Sequence, residues 1–200
     1  LVEAAELHKI AVPVTIEAYG TVVPARQLTL QSEVEGRIIY QDPALVPGGM
    51  IPAKHKLLQV DPEDYKLLIK ELEATLTEAR FEVEMEQGKR IVAEREWKLL
   101  EKEIAASATG RRLVLREPHK ERAAARVQMA ESRLDQAKLD EKRTTLICPF
   151  NAMVIDELVE VGQLVSRQAK LATLVGTDQF WVQVSVPLGK LRRIRFSQAG

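Results

Sequence analysis

The side chains able to do chemistry are few and scattered. The histidines are His8, His55 and His119, in three different expected elements, and no pair has the spacing that sets two imidazoles on one metal ion. Cys148 is the only cysteine; it lies in the strand-like "TTLICPF" with no histidine beside it in sequence, and reads as a buried, inert thiol. A single cysteine also excludes an internal disulfide. His55, in "AKHKLL", reads as part of a solvated turn. Glu–Lys and Glu–Arg pairs recur at helical spacing, the pattern of a solvated face worth about 0.2–0.5 kcal/mol per pair. Charge balances at 29 basic and 29 acidic residues, so no net field recruits nucleic acid or an anionic membrane. "LREPHKER" mixes signs without interleaved aromatics, which gives nucleic-acid binding no support. The expectation is a chain with no catalytic residue, no cofactor and no metal.

The elements that hold these residues come in two textures. Residues 62–143 carry 18 basic and 18 acidic side chains, 36 of the 58 charges, with only Gly88, Gly110, Pro62 and Pro118 to interrupt them. The flanks hold the other eight glycines and seven prolines and alternate with period two. Val12, Val14, Ile16 and Ala18 are expected to share a strand face, as are Leu28, Leu30, Val34 and Ile38, and Val182, Val184 and Val186. No apolar run approaches the ~18–20 residues of a membrane span. The opening "LVEAAELHKI" lacks the basic start and apolar run of a signal peptide, so a cytosolic chain or a mature, trimmed one is expected.

The flanks also repeat. At an offset of 114, Leu45 meets Val159, Gly48 meets Gly162, Ile51 meets Val165, Leu57 meets Leu171 and Val60 meets Leu174. Upstream the offset is 116: Val34 meets Phe150, Gly36 meets Ala152, Ile38 meets Val154 and Ile39 meets Ile155, the difference falling where "YQDPA" leaves room for a longer turn. A few short strands cannot bury an apolar face alone, so two such repeats make one β unit with a shared core.

Between them, "VDPEDYKLL" is a helix start, with Asp61 to cap, Pro62 at the first position and Glu63 and Asp64 at the positive end of the dipole. An apolar seam follows through Tyr65, Leu68, Leu72, Leu76, Ala79, Val83, Ala93, Trp97, Leu100 and Ile104, with Glu86 and Arg90 making it polar midway. A return seam runs through Leu113, Ala123, Val127, Ala130, Leu134 and Ala137. Equal arms put the turn near residue 103, and Pro118 kinks the return helix or marks its beginning. The fold class expected is α+β: a split β domain with an inserted antiparallel coiled-coil hairpin.

"LVLREPHKERAAARVQMAESRLDQAKLDEKRTTLICPFNAMV" resembles the return helix and lipoyl-like domain of periplasmic adaptors, or membrane fusion proteins, of the HlyD-like superfamily. Cys148 stands where the family's "Ala-Pro-Phe-x-Gly-x-Val" stretch has a small residue, and Ala152 where it has glycine. "FWVQVSVPLGKLRRI" resembles the strand opening the family's β-barrel, and the adaptors of resistance–nodulation–division (RND) transporters are the nearest in pattern. The resemblance implies barrel strands in 1–31, lipoyl-like halves in 32–61 and 144–176, a hairpin in 62–143, and the incomplete return of the barrel in 177–200. It implies a periplasmic protein at the inner membrane, its anchor outside this chain. The implied partners are an inner-membrane transporter, a TolC-like outer-membrane channel and other copies in a ring or funnel. Family tips carry Arg, Leu and Ser, with Leu four and Ser eleven residues after Arg. Leu100 and Ser107 keep the seven-residue step but Glu96 stands four before Leu100; Arg95 and Leu99 keep the first step, followed by Ala106 in place of Ser. The implied tip set is Arg95, Leu99, Leu100, Ile104, Ser107, Arg111 and Arg112, and the implied structural turns are Gly36, Gly48 and Gly162.

Other readings explain less. A lipoyl or biotin carrier needs a lysine on a tight turn between the halves, and some 80 residues of helix stand there instead. A bare coiled-coil scaffold leaves the split β domain unexplained. An adaptor of a type I secretion or ABC-type exporter is the alternative function.

Overall fold

The computed structural model describes residues 15–100, 108–191 and 194. The first flank forms β1 (Gly20–Pro24), β2 (Gln27–Gln31), β3 (Gly36–Gln41), β4 (Met50–Ile51) and β5 (Lys56–Val60). Helices α1 (Glu63–Leu100), α2 (Ala108–Val114) and α3 (Glu117–Arg143) follow. The second flank supplies β6 (Thr145–Ile147), β7 (Ala152–Glu157), β8 (Leu164–Val165), β9 (Lys170–Gly176), β10 (Phe180–Val184) and the short α4 (Leu188–Leu191).

Two four-stranded sheets, ordered β6–β5–β3–β8 and β2–β9–β7–β4, face one core. Each takes its last strand from the other half: β4 pairs with β7, and β8 with β3. The repeat is therefore a structural one. Leu45 and Val159, Ile51 and Val165, Leu57 and Leu171, and Val60 and Leu174 are all buried, while Ile39 and Ile155 face outward alike. Gly48 donates to the Val154 carbonyl at 2.8 Å, and its counterpart Gly162 donates to Ile38 at 2.7 Å. Their φ angles of 84° and 94° favour glycine at both turns. Asp42 donates to Leu57 as Leu158 donates to Leu171, so the two-residue surplus of the first half is Pro43 and Ala44. An Asp42 side-chain oxygen accepts from the Ala44 N–H at 2.8 Å and shapes that surplus into a turn.

Some expected strands differ. Residues 15–19 form no strand, and Val12 and Val14 lie outside the described residues. The ribbon begins instead at Gly20, whose partner on β10 is Val184; one further bond, from the Ser185 N–H to the Tyr19 carbonyl at 3.3 Å, closes it, and β10 ends before Val186. Leu30, Val34 and Ile38 do turn to one core, Leu28 is only half-buried, and a bend at Glu33 and Val34 divides the four between β2 and β3.

The hairpin roots directly in these sheets. An Asp61 side-chain oxygen accepts from the Glu63 N–H at 3.1 Å, capping α1 one residue after β5 ends. The shielded stripe of α1 is Tyr65, Ile69, Leu72, Leu76, Ala79, Val83, Glu86, Arg90, Ala93 and Trp97, in alternating steps of four and three. On α3 it is Ala123, Val127, Ala130, Leu134 and Ala137, whose small side chains let the helices approach closely. Leu68, expected in the seam, is 43% exposed, because the four–three alternation running back from Leu72 selects Ile69 and Tyr65. Leu113 is exposed too, since the return helix is broken between α2 and α3. At the break Arg116 has φ 58°, a left-handed conformation, and Pro118 falls in the first turn of α3, which thus marks that helix's true beginning. The expected turn near residue 103 lies outside the described residues.

Candidate functional site

The distal end of α1 presents Arg95 and Leu99 four residues apart on one solvent-facing side. Leu99 is 80% exposed, a large apolar surface to leave in water near the end of a charged helix. Leu100 closes α1, while Ile104 and Ser107 lie outside the described residues. On the return side Arg111 is exposed. Arg112 is engaged within the chain, holding Glu117 at 2.8 Å and Glu121 at 3.1 Å; the Glu117 bond, with both carboxylates' charge, raises its pKa. Trp97 is seam rather than surface, 9% exposed, with its indole N–H unpaired among the described residues.

Below this end, the hairpin is pinned by a cluster whose members only partly show in the sequence. Glu86 is buried in the seam and accepts from Arg116 Nε and Nη2 at 3.0 and 2.8 Å, and from Lys89 at 2.8 Å. Those bonds, from Lys89 first and Arg116 next, hold its carboxyl down at about 2. The polar midpoint of the seam is visible from spacing alone. Its partner is not, because Arg116 reaches it from a left-handed residue between helices.

At the hairpin root an open cleft of about 790 Å³ is lined by Glu35, Arg37, Asp61, Asp64, Tyr65 and Leu164. Tyr65 donates its hydroxyl proton to the Glu35 carbonyl at 2.7 Å, tying α1 to the β domain. No nucleophile with an adjacent base converges there. Cys148, one residue past β6, is wholly buried; its thiol donates to the Phe150 carbonyl at 2.9 Å, and burial raises its pKa. His55 is not simply solvated: its Nε2 lies 2.7 Å from an oxygen of buried Asp42. Burial alone would raise the Asp42 carboxyl, but the Ala44 N–H and His55 together hold it below its ordinary value. His119 is exposed on α3, and His8 lies outside the described residues. Among the described residues no group of three or more His, Cys, Asp or Glu is placed to hold a metal ion, and no helix is long and apolar enough to cross a membrane.

What the geometry offers is therefore surface, presented on a stiff arm. No family model matches the chain, and no curated protein matches its sequence. Solved structures do match. A candidate efflux transporter from Bacteroides eggerthii aligns at a TM-score of 0.63 and 23% identity, over 90% of this chain and 48% of that one. A MacA–MexA chimera containing the Pseudomonas aeruginosa MexA α-hairpin domain aligns at 0.59 and 16%, over 86% and 56%. The periplasmic adaptor protein EmrA aligns at 0.52 and 16%, over 90% and 82%. This chain has the fold of periplasmic adaptor, or membrane fusion, proteins: a split lipoyl-like β domain, an inserted α-helical hairpin and part of a β-barrel. It spans about half the length of the first two of these structures.

Proposed function

We propose that the chain is the adaptor subunit of a tripartite efflux system, bridging an inner-membrane RND transporter and a TolC-like outer-membrane channel across the periplasm. The observation that carries this reading is the 38-residue α1, rooted in a split β domain and reaching about 57 Å at 1.5 Å per residue while burying only a narrow seam. A helix pair that buries so little of itself gains its use from what lies at its far end. Residues 32–61 and 144–176 act as the lipoyl-like base, α1 and α3 as the arms of the hairpin, and β1 with β10, from the flanking 1–31 and 177–200, as strands of a barrel nearer the inner membrane. The channel-facing set is Arg95, Leu99, Leu100, Ile104, Ser107, Arg111 and Arg112, with exposed Leu99 as its apolar anchor. Its work is recognition and assembly, without a catalytic step, and copies of the chain join around the transport path.

The test is a Leu99→Cys substitution in the full-length protein, crosslinked in cells. The expected adduct joins it to the outer-membrane channel. Adducts with the inner-membrane transporter instead, and none with the channel, would reverse the orientation and end this reading.

A further inference from the structure

The two sides of the hairpin are interrupted at the same height. On α1 the interruption is Gly88, the only glycine of that helix, exposed and with no neighbour that a Cβ would meet within 4 Å. A glycine within a helix bares the backbone of its turn to water and makes that turn easier to bend. On the return side α2 stops at Val114 and α3 starts at Glu117, with Arg116 left-handed between them. Arg116 lies across from Glu86, which is two residues, about 3 Å along the helix axis, from Gly88.

The hairpin is held differently above and below this level. Below it, towards the β domain, Leu76, Ala130 and Leu134 form a buried cluster backed by Leu72, Ala79 and Val127. Ion pairs of Glu73 with Lys138, Arg80 with Glu131 and Glu82 with Arg126 cross from α1 to α3. Above it, the ion pairs among the described residues stay on one side: Arg90 with Glu94 on α1, and Arg112 with Glu117 and Glu121 on the return side. Beyond Gly88, Trp97 is the only buried side chain among the described residues of α1. One cluster joins the pieces across the interruption. Glu86 stands just below Gly88, Lys89 just above it and Arg116 in the break opposite, and all three meet at the Glu86 carboxylate.

We infer that this level is a joint: the hairpin beyond Gly88 and Arg116 tilts as a unit on the part below, and the contacts of Glu86 with Lys89 and Arg116 are the clasp that holds it at one angle. A partner that gains contact by tilting the far end must then supply the free energy that opens the clasp. The joint is a property of the hairpin whatever stands at its end, so it goes beyond the bridging role above and does not depend on it.

Pairs of spin-labelled cysteines in the whole chain test it, read as distance distributions by double electron–electron resonance. Cys148 stays in place because it is fully buried. Glu96→Cys with Arg133→Cys spans the joint, Glu71→Cys with Ala125→Cys lies below it, and Glu96→Cys with Arg111→Cys lies above it; every one of these positions is exposed. Arg116→Asn opens the clasp while keeping a residue that tolerates the left-handed backbone. It should broaden the spanning distribution, or add a second distance to it, and leave the lower and upper pairs narrow. Glu86→Gln should act in the same direction. Adding Gly88→Ala to Arg116→Asn should narrow the spanning distribution again, because α1 loses its bending point. A spanning distribution unchanged in both clasp variants overturns the joint, as does one that Gly88→Ala fails to narrow. A broadened upper pair, the sign of a fraying end, or a broadened lower pair, the sign of a seam loosened throughout, also overturns it. The channel adduct from Leu99→Cys reads a partner rather than an angle, so either result can fail while the other stands.

Discussion

Arg116 closes two guanidinium nitrogens on one carboxylate oxygen of Glu86, at 3.0 and 2.8 Å, and does so from a left-handed backbone at the junction of α2 and α3. Lys89 holds the other oxygen, so the carboxylate is satisfied only while ionised. Its pKa in the folded chain, about 2, is below the ordinary 4.5, so this stabilisation is complete above pH 4.5 and is lost as pH falls towards 2. Thermal melts followed by helical circular dichroism should show Glu86→Gln melting below the native chain at neutral pH. The gap should close as acid is added across that window. A gap that stays constant with pH would mean that the charge contributes nothing.

The paired halves of the β domain make a matched prediction. Leu57 and Leu171 hold equivalent places and are both wholly buried. Replacing either with alanine removes the same side chain from the same core, at about 2–5 kcal/mol. Chemical denaturation should give similar losses for Leu57→Ala and Leu171→Ala. If one were nearly neutral, the two halves would not share a single core.

Ser32 predicts the behaviour of Cys148. The Ser32 hydroxyl donates to the Val34 carbonyl, just as the Cys148 thiol donates to Phe150, and the two residues are 116 apart and equally sealed from solvent. Serine therefore already works in this setting, and Cys148→Ser should cost only about 1 kcal/mol. Thiol-specific reagents should label the native cysteine only on unfolding, because burial both raises its pKa and blocks access.

Gly88 breaks the helical preference of α1 without a packing reason: a Cβ built there meets nothing within 4 Å. Gly88→Ala should stabilise the hairpin by up to about 1 kcal/mol, seen as a higher melting temperature. No gain would point to a tight approach by another chain at this level of the helix.

The repeat was legible because its signal is local and doubled. Glycine turns and spaced aliphatics recur 114 to 116 residues apart, and the structure returns the same hydrogen bonds at both places. The capped start of α1 was equally plain, since Asp61, Pro62, Glu63 and Asp64 state it in four residues. Along α1 from Tyr65 to Trp97 the seam was legible to within one position: Leu68 and Ile69 are both aliphatic, and only a partner helix decides between them. Less accessible were pairs made by distant backbone. Asp42 and His55 meet because β3 and β5 are antiparallel, which brings together two residues that look like separate turns. The exposure of Phe81 and Met85 was hidden because they sit among charges that, taken singly, read as solvated surface.

The exchange of β4 and β8 between halves governs how the chain can be made. A ribosome delivers β3, β4 and β5 long before β7 and β8 exist, so the early strands must wait, unpaired on one side, for more than a hundred residues. Closing so large a loop by diffusion is slow and leaves sticky edges open to other chains. The helical arm shortens that search. Once α1 and α3 zip together from local pairings, their roots deliver β5 and β6 side by side, and the element that gives the molecule its reach also serves as the splint on which its base is assembled.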